Sequence, residues 1–439
     1  MNRVLVTGFG PAASTGIGKG KFIENLFSLK AEIKPIPSVY ELNYKFRSRF
    51  YTSFPEFTLN DYGVSNKFEN IIQDEDKLSI LCSALAFQDA GFKLDNTGKN
   101  ITVSGLPEDA GVILGIGLTG LETALHSYLA HIMDEEKGDK ITVLENFPPR
   151  YNRMIIPRTM TNSIAGWTSI LFGLHGPSFT VNASCASGTI AVGEAYEKIK
   201  SGVSDLILAG GIECFKEPFG SIMRGFDVLG ALTTSDDGIP RPFSEEISGF
   251  LFSEGAGCVL VLESEEHALK RGAEIYAEIV DYKCNSDAYN IVQLNPDGKK
   301  ITELLEKLKS NRKIDYLNAH GTGTEKNDVI EAECIRRVFG DKDTQPVINS
   351  TKGILGHSIG ASGALECAVT AYSVKESKVH GNLIRKPMEN LNLVRESGDL
   401  EIQCAASVSY GFGGHNAGIV FKHYIKLSLI HISEPTRPY

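Results

Sequence analysis

The stretch FTVNASCASGTIAVGEAYEKIKSG, Phe179–Gly202, decides the fold. Its opening, around SFTVNA, is β-branched and aromatic and favours a strand. Its close, SGTIAVGEAYEKIKSG, favours a helix. Ile190, Ala195, Tyr196 and Ile199 fall towards one side, and Glu194, Glu197, Lys198 and Lys200 fall towards water. Gly202 is a natural stop. At the joint sits Cys185, with only Ala, Ser and Gly beside it. A strand that turns through small residues into a helix is a unit of a layered α/β fold. The unpaired N–H groups of a helix tip favour an anion, so this position predicts a thiol of lowered pKa. Small neighbours leave room for a substrate. The competing reading is a buried structural cysteine.

The rest of the chain repeats that grammar. NRVLVTGFG reads as a first strand ending in glycines, and DEDKLSILCSALAFQDAGF as a helix with Leu78, Leu81, Cys82, Leu85 and Ala86 on one face. AGVILGIG, SDLILAGG, GCVLVLES, AEIYAEIVDY, IDYLN, PVINS, ASVSY and NAGIVFK read as further strands. Two blocks of similar pattern follow, 1–265 and 266–425. Residues 128–152, with MDEEKGDK and NFPPR, read as a surface loop. Residues 426–439 include LSLIHISEPTRPY, which joins neither period and reads as a non-native tail.

Bulk properties exclude several classes. The chain has 439 residues, 42% apolar and 22% charged, with a net charge of −10. An acidic chain argues against binding nucleic acid through its backbone. No apolar run reaches the ~18 residues that would span a bilayer. The eight cysteines form no CxxC pair, which argues against a knuckle-type zinc site. A reduced, cytoplasmic protein is expected.

A thiol nucleophile needs a proton partner and donors for an oxyanion. His320, in NAHGTGT, and His357, in STKGILGHSIGASG, both follow strands and stand among Gly, Ser and Thr. Ligands bind at such strand ends in α/β folds. SVSYGFGGHNAG forms a third small-residue turn, around Phe412. A rival motif is GHSIG, which matches the G-x-S-x-G elbow of serine hydrolases at Ser358. The elbow requires its serine directly after a strand, and TKGIL intervenes. The glycine-rich TGFGPAASTGIGKGK fits neither phosphate-loop pattern.

NASCASG, NAHGTGT, STKGILGHSIGASGALE and SYGFGGHN, in this order, resemble the β-ketoacyl-acyl-carrier-protein synthases, closest to the elongating type of type II fatty-acid or polyketide synthesis. The likeness runs from RVLVTGFG to GIVFK and includes PRTMTNSIAG, GLHGPSFTVNASC, LILAGGIE and RPFSEEISGFLFSEGAGCVLVLE. Spacings agree with that family: 135 residues separate Cys185 from His320, and 37 separate His320 from His357.

The resemblance implies a thiolase fold. Its two duplicated halves, 1–265 with the nucleophile and 266–425 with both histidines and the GFGG loop, would form a five-layered αβαβα sandwich, as a homodimer or as a heterodimer with a related subunit. It also implies roles. Cys185 takes an acyl group as a thioester. His320 and His357 hold the malonyl thioester carbonyl while CO₂ leaves, and neutral imidazoles suit that task. Lys352 and Glu366 orient the second histidine, and the Lys352 cation keeps the imidazoles neutral. The N–H groups of Cys185 and Phe412 form an oxyanion hole, and Phe412 also gates. Thr322 and Thr324 bind the pantetheine arm, and Leu118 lines the acyl pocket.

No metal and no cofactor are expected, since the phosphopantetheine travels on the acyl-carrier protein, the partner that delivers both acyl and malonyl groups. Nucleic acid and membrane are not expected partners. The helix around NIIQDEDK is acidic where relatives of this type are often basic, so carrier docking is expected at Arg150, Arg153, Arg158, Lys216 or Arg224. Competing readings are a silent chain-length-factor subunit, a serine hydrolase using Ser358 and a degradative thiolase.

Overall fold

The computed structural model describes residues 1–64, 71–96, 100–132 and 154–426. Ten strands carry the fold: β1 (Val4–Ala13), β2 (Gly111–Gly115), β3 (Ser178–Val181), β4 (Leu206–Cys214), β5 (Gly255–Ser264), β6 (Ala277–Ser286), β7 (Tyr316–Asn318), β8 (Val347–Asn349), β9 (Cys404–Gly411) and β10 (His415–Lys422). Five helices layer them: α1 (Asp74–Asp89), α2 (Ser187–Lys200), α3 (Lys299–Lys309), α4 (Glu325–Phe339) and α5 (Ser362–Glu376).

The strands lie in the order β8-β7-β9-β10-β6-β1-β5-β4-β2-β3. The path divides into two equivalent runs. In the first, β2 pairs in parallel with β3 and β4, while β4–β5 and β5–β1 are antiparallel. In the second, β7 pairs in parallel with β8 and β9, while β9–β10 and β10–β6 are antiparallel. Raising each label of the first run by five gives the second, so one topology occurs twice. A short antiparallel bridge, Val4↔Ile279 to Val6↔Ala277, joins the runs.

Helix α1 covers β1 and β5 from outside. Helices α2 and α5 pack on each other and touch strands of both runs, and α3, backed by α4, covers β6 and β10. The result is the five-layered αβαβα sandwich of the thiolase fold. The residues give the reason: the middle helices have both flanks occupied and are apolar nearly all round, as α5 (SGALECAVTAYSVKE) illustrates. Among the described residues, no helix is long and apolar enough to cross a membrane.

Two boundaries differ from the sequence reading. The first strand does not end at its glycines. Gly8 and Gly10 lie where α1 presses on the sheet, and a Cβ at Gly8 would stand 2.6 Å from the Ala90 nitrogen. Glycine serves there for close approach, not as a stop. The loop placed at 128–152 begins too early, because Leu121–Ile132 is a helix. ETALHSYLAHI contains no Gly or Pro, with leucines every fourth residue from Leu121, and the charges that follow drew the boundary forward. The rest of that segment (133–152), Arg150 and Arg153, and the tail LSLIHISEPTRPY lie outside the described residues.

Helices α2 and α5 meet at their first turns. A Cβ on Gly188 would lie 2.7 Å from the Ala364 nitrogen and 2.9 Å from the Gly360 oxygen. Helix propensity alone would make Gly188→Ala stabilising, by about 1 kcal/mol. With backbone on the far side, the opposite is expected: a loss of about 1–3 kcal/mol from overpacking. Gly225→Ala, in the helix Ser221–Val228 with nothing within 4 Å of its Cβ, is the control and should stabilise. Urea unfolding midpoints of the two variants check the signs.

Candidate active site

Cys185 occupies a short turn, Ser184–Ala186, between β3 and α2. Ser184 has φ +51°, unusual for a residue with a side chain. Ser187 closes the turn: its Oγ accepts the Ala183 N–H at 2.8 Å and donates to the Ser184 carbonyl at 2.7 Å. The second half of the chain uses the same device. Ile359 has φ +42°, and the Ser362 Oγ accepts the Ser358 N–H at 3.1 Å. Ser184 and Ile359 each stand three residues before their helix begins, so the two turns are counterparts. One carries the sulfur, and the other brings in His357 and its partner.

The three sequence-predicted groups converge. Sγ of Cys185 and a ring nitrogen from each of His320 and His357 lie within 4.8 Å of one another, and all three residues are buried. His357 Nε2 is 3.1 Å from Sγ, and its Nδ1 is 2.9 Å from the Ser362 hydroxyl. The imidazoles meet edge to face at 5.7 Å. Phe250 stands edge-on to His357 at 5.1 Å, and Tyr410 stands edge-on to His320 at 5.5 Å. These are also the residues, among those described, whose donor atoms stand close enough to hold a metal ion.

Lys352 is fully enclosed. Its Nζ donates to the His320 carbonyl at 2.8 Å and to His320 Nδ1 at 3.2 Å, and it pairs with Glu366. The ring proton of neutral His320 therefore sits on Nε2. The resemblance sets Lys352 and Glu366 beside the second histidine; Lys352 binds the first, and Glu366 pairs with Lys352. Lys352 is five residues from His357 in the chain, but the turn at Gly356 (φ +74°) separates them.

Burial, reinforced by the Lys352 charge, holds both imidazoles well below the usual histidine range. Burial pushes Glu366 up to about 7, against the pull of Lys352. The expectation for Cys185 is reversed. Burial raises its thiol above the ordinary value, outweighing the Ser184 hydroxyl, Lys352 and the backbone N–H groups of Phe412 and Cys185, which all favour the anion. The helix tip is present but loses to desolvation. Alkylation of Cys185 by iodoacetamide should therefore still accelerate between about pH 7 and pH 9. A plateau reached by neutrality would mean a preformed thiolate–imidazolium pair.

A cavity of about 320 Å³ leads to the sulfur. Cys185, His320, His357, Thr322, Thr324 and Phe412 all line it. The Thr322 and Thr324 hydroxyls lie 2.9 Å apart. Leu118 does not line it: this residue is 44% exposed, and its N–H binds Glu213 at 3.1 Å. Ser358, the rival nucleophile, is buried outside the lining, with its hydroxyl 3.3 Å from that of Ser362.

Sequence reasoning missed the carboxylates that brace these turns. Glu331 accepts the His320 and Gly321 N–H groups at 2.9 and 2.8 Å, and Asp328 accepts those of Phe243 and Gly323. For Glu213 a signal existed. A single charge within LILAGGIEC, a strand buried throughout, must find partners.

Residues 1–267 match the family described as beta-ketoacyl synthase, N-terminal domain, and residues 276–384 match its C-terminal domain. The chain is 36% identical over 359 residues to 3-oxoacyl-[acyl-carrier-protein] synthase 2 of Staphylococcus aureus (strain N315), covering 79% of this chain and 81% of that one. It superposes on a beta-ketoacyl synthase from Burkholderia phymatum STM815 with a TM-score of 0.80 at 29% identity, covering 97% and 100% of the two chains. The AntDE:AntF complex, a type II PKS acyl-carrier protein with its ketosynthase bound to the hexaketide, matches with a TM-score of 0.79 at 26% identity, over 97% and 100%.

Proposed function

Because the chain belongs to the β-ketoacyl synthase family and is therefore an acyltransferase-type enzyme, we propose that it condenses an acyl group, held as a thioester on Cys185, with a malonyl group on acyl-carrier protein. The product is 3-oxoacyl-carrier protein and CO₂. The observation that carries this reading is the buried sulfur facing two imidazoles kept neutral by burial and Lys352.

In the first step Sγ attacks the acyl thioester carbonyl as its proton moves to His357 Nε2, 3.1 Å away. The oxyanion is held by the N–H groups of Cys185 and Phe412, a donor set worth about 3 kcal/mol per member. Collapse expels the carrier thiolate, which takes the proton back from an imidazole unsuited to keep it. The malonyl group then loses CO₂. The electron pair of the broken C–C bond becomes an enolate, and its oxygen accepts from two ring N–H groups. His320 presents Nε2–H because Lys352 occupies Nδ1. His357 can do likewise because the Ser362 hydroxyl both donates and accepts. The enolate carbon attacks the Cys185 thioester, the C–Sγ bond breaks, and the leaving Sγ takes up the one proton the overall reaction consumes, drawn from solvent.

Thr322 and Thr324 suit the amides of a pantetheine arm brought in by the carrier protein. Of the docking candidates, Lys216 is paired with Asp74 at 3.2 Å and Arg158 donates to the Ile71 carbonyl at 2.9 Å. Arg224 stacks on Tyr44, on the helix that leads to Leu229 at the cavity wall, and is the preferred carrier contact. Among the described residues β3 is an edge strand, and Ile156, Met160 and Ile170 are exposed on or beside nearby helices, which suits a second copy of the chain, where Leu118 would join the acyl site.

Mass spectrometry of the Cys185 peptide after incubation with a panel of acyl-carrier proteins tests the reading. An acyl mass on that peptide, discharged to a 3-oxoacyl product by malonyl-carrier protein, is expected. An unmodified Cys185 with every donor would sink it.

A further inference from the structure

Glu213 lies near the end of β4 with its carboxyl group wholly buried, where burial pushes it up to about 8, and among the described residues three backbone N–H groups from outside its strand bind it. Oε2 accepts from Gly117 at 3.0 Å and from Gly360 at 2.9 Å, while Oε1 accepts from Leu118 at 3.1 Å. These donors belong to two separate segments: the loop after β2 and the turn before α5. Both segments touch the nucleophile's surroundings. The Gly117 carbonyl accepts from Asn182 Nδ2 at 2.8 Å, three residues before Cys185. Ile359, next to Gly360, lines the cavity and packs in the cluster that contains Cys185.

The segments are held without slack. A Cβ on Gly360 would stand 2.7 Å from the Gly117 nitrogen, and one on Gly188 would stand 2.9 Å from the Gly360 oxygen. Ile359 is β-branched and sits at φ +42°, a conformation such residues avoid unless the surroundings impose it. The adjoining N–H of Gly360, fixed by Glu213, is one such restraint.

We propose that Glu213 is a positioning residue of the acyl site, pinning the Gly117–Leu118 loop to the Ile359–Gly360 turn and so fixing the shape of the wall that receives the acyl group. The proposal rests on the acyl-thioester reading above. No reacting atom touches Glu213; it acts through Ile359 and the Asn182–Cys185 turn.

The test is single-turnover acyl transfer to Cys185 from carriers bearing short and long chains, with wild type, Glu213→Gln and Glu213→Asp. Glutamine keeps the volume but turns one of the two acceptors into a donor facing N–H groups. Sub-ångström slack in a positioning wall costs rate in proportion to how much the substrate relies on it, so the ratio of long-chain to short-chain transfer should shift by about tenfold in Glu213→Gln. Glu213→Asp, which keeps the carboxyl group, should restore part of that ratio. If Glu213→Gln does not fold, the wild-type and Glu213→Asp ratios are compared, and any shift must appear there. A carboxylate that served folding alone would slow every chain length in parallel and leave the ratio unchanged, and that result overturns the proposal. Absence of acyl transfer in the wild type would overturn the functional reading itself, and this proposal with it.

Discussion

Cys185→Ala should abolish condensation, lowering turnover by about a thousandfold or more, while leaving the protein folded. Alanine cannot form the thioester, and no other group takes over. The hydroxyl 3.7 Å from Sγ, that of Ser184, has no imidazole assigned to it, and Ser358 lies outside the cavity lining. A small buried thiol behaves as an apolar group, so its loss should cost no more than about 1 kcal/mol of stability. The variant should keep one partial reaction. His320, His357 and Lys352 remain in place, so malonyl-carrier protein should still lose CO₂, now uncoupled from carbon–carbon bond formation. Ser358→Ala should retain both reactions. Product analysis by mass spectrometry, together with CO₂ release, separates the outcomes. A Cys185→Ala protein that still makes the 3-oxo product would place the nucleophile elsewhere.

The local elements were readable because each depends on local chemistry. SFTV is a strand and SGTIAVGEAYEKIK a helix for reasons contained in those residues, and the small-residue turns at Cys185, His320, His357 and Phe412 advertise the cavity they line. What pairs with what was less legible. The repeat of strand order, β3-β2-β4-β5-β1 matched by β8-β7-β9-β10-β6, has no residue-level signature, because a strand specifies its buried faces and not its neighbour.

Within the site the errors have one cause. The family resemblance puts Lys352 beside the second histidine, whereas the chain reverses and delivers its ammonium to His320. The helix tip predicts a lowered pKa for the sulfur, whereas complete burial sets the sign. Leu118, expected on the acyl wall near a dimer interface, faces solvent in the single chain. Each needed knowledge of what lies across the fold, and sequence spacing does not supply it.

The Lys352–Glu366 pair turns that nonlocal chemistry into the largest stability effect expected here. Lys352 is 2% exposed and Glu366 is 1% exposed, and among the described residues Glu366 Oε2 already has no hydrogen-bond partner. Lys352→Met would strand the carboxylate in a dry site and remove a donor from His320. Breaking a buried pair on one side costs about 3–5 kcal/mol. The pH dependence identifies the cause. Glu366 is raised to about 7 with Lys352 present, and removing the attraction raises it further. A raised carboxylate holds its proton more readily folded than unfolded, so its contribution to stability is fully present below the unfolded pKa and fades as pH climbs through the folded one. The deficit of Lys352→Met should therefore be larger near pH 8 than near pH 6, by up to about 1.4 kcal/mol per pH unit. Adding Glu366→Gln should recover much of the stability and flatten this pH dependence, because no charge is then left unpaired. It should not recover decarboxylation, since His320 still lacks the cation that fixes its tautomer and opposes its protonation. Denaturant midpoints at the two pH values, measured alongside CO₂ release, check both parts. A single variant equally weakened at both, or a double variant no more stable than the single one, would show that burial strain and not an unpaired charge sets the cost.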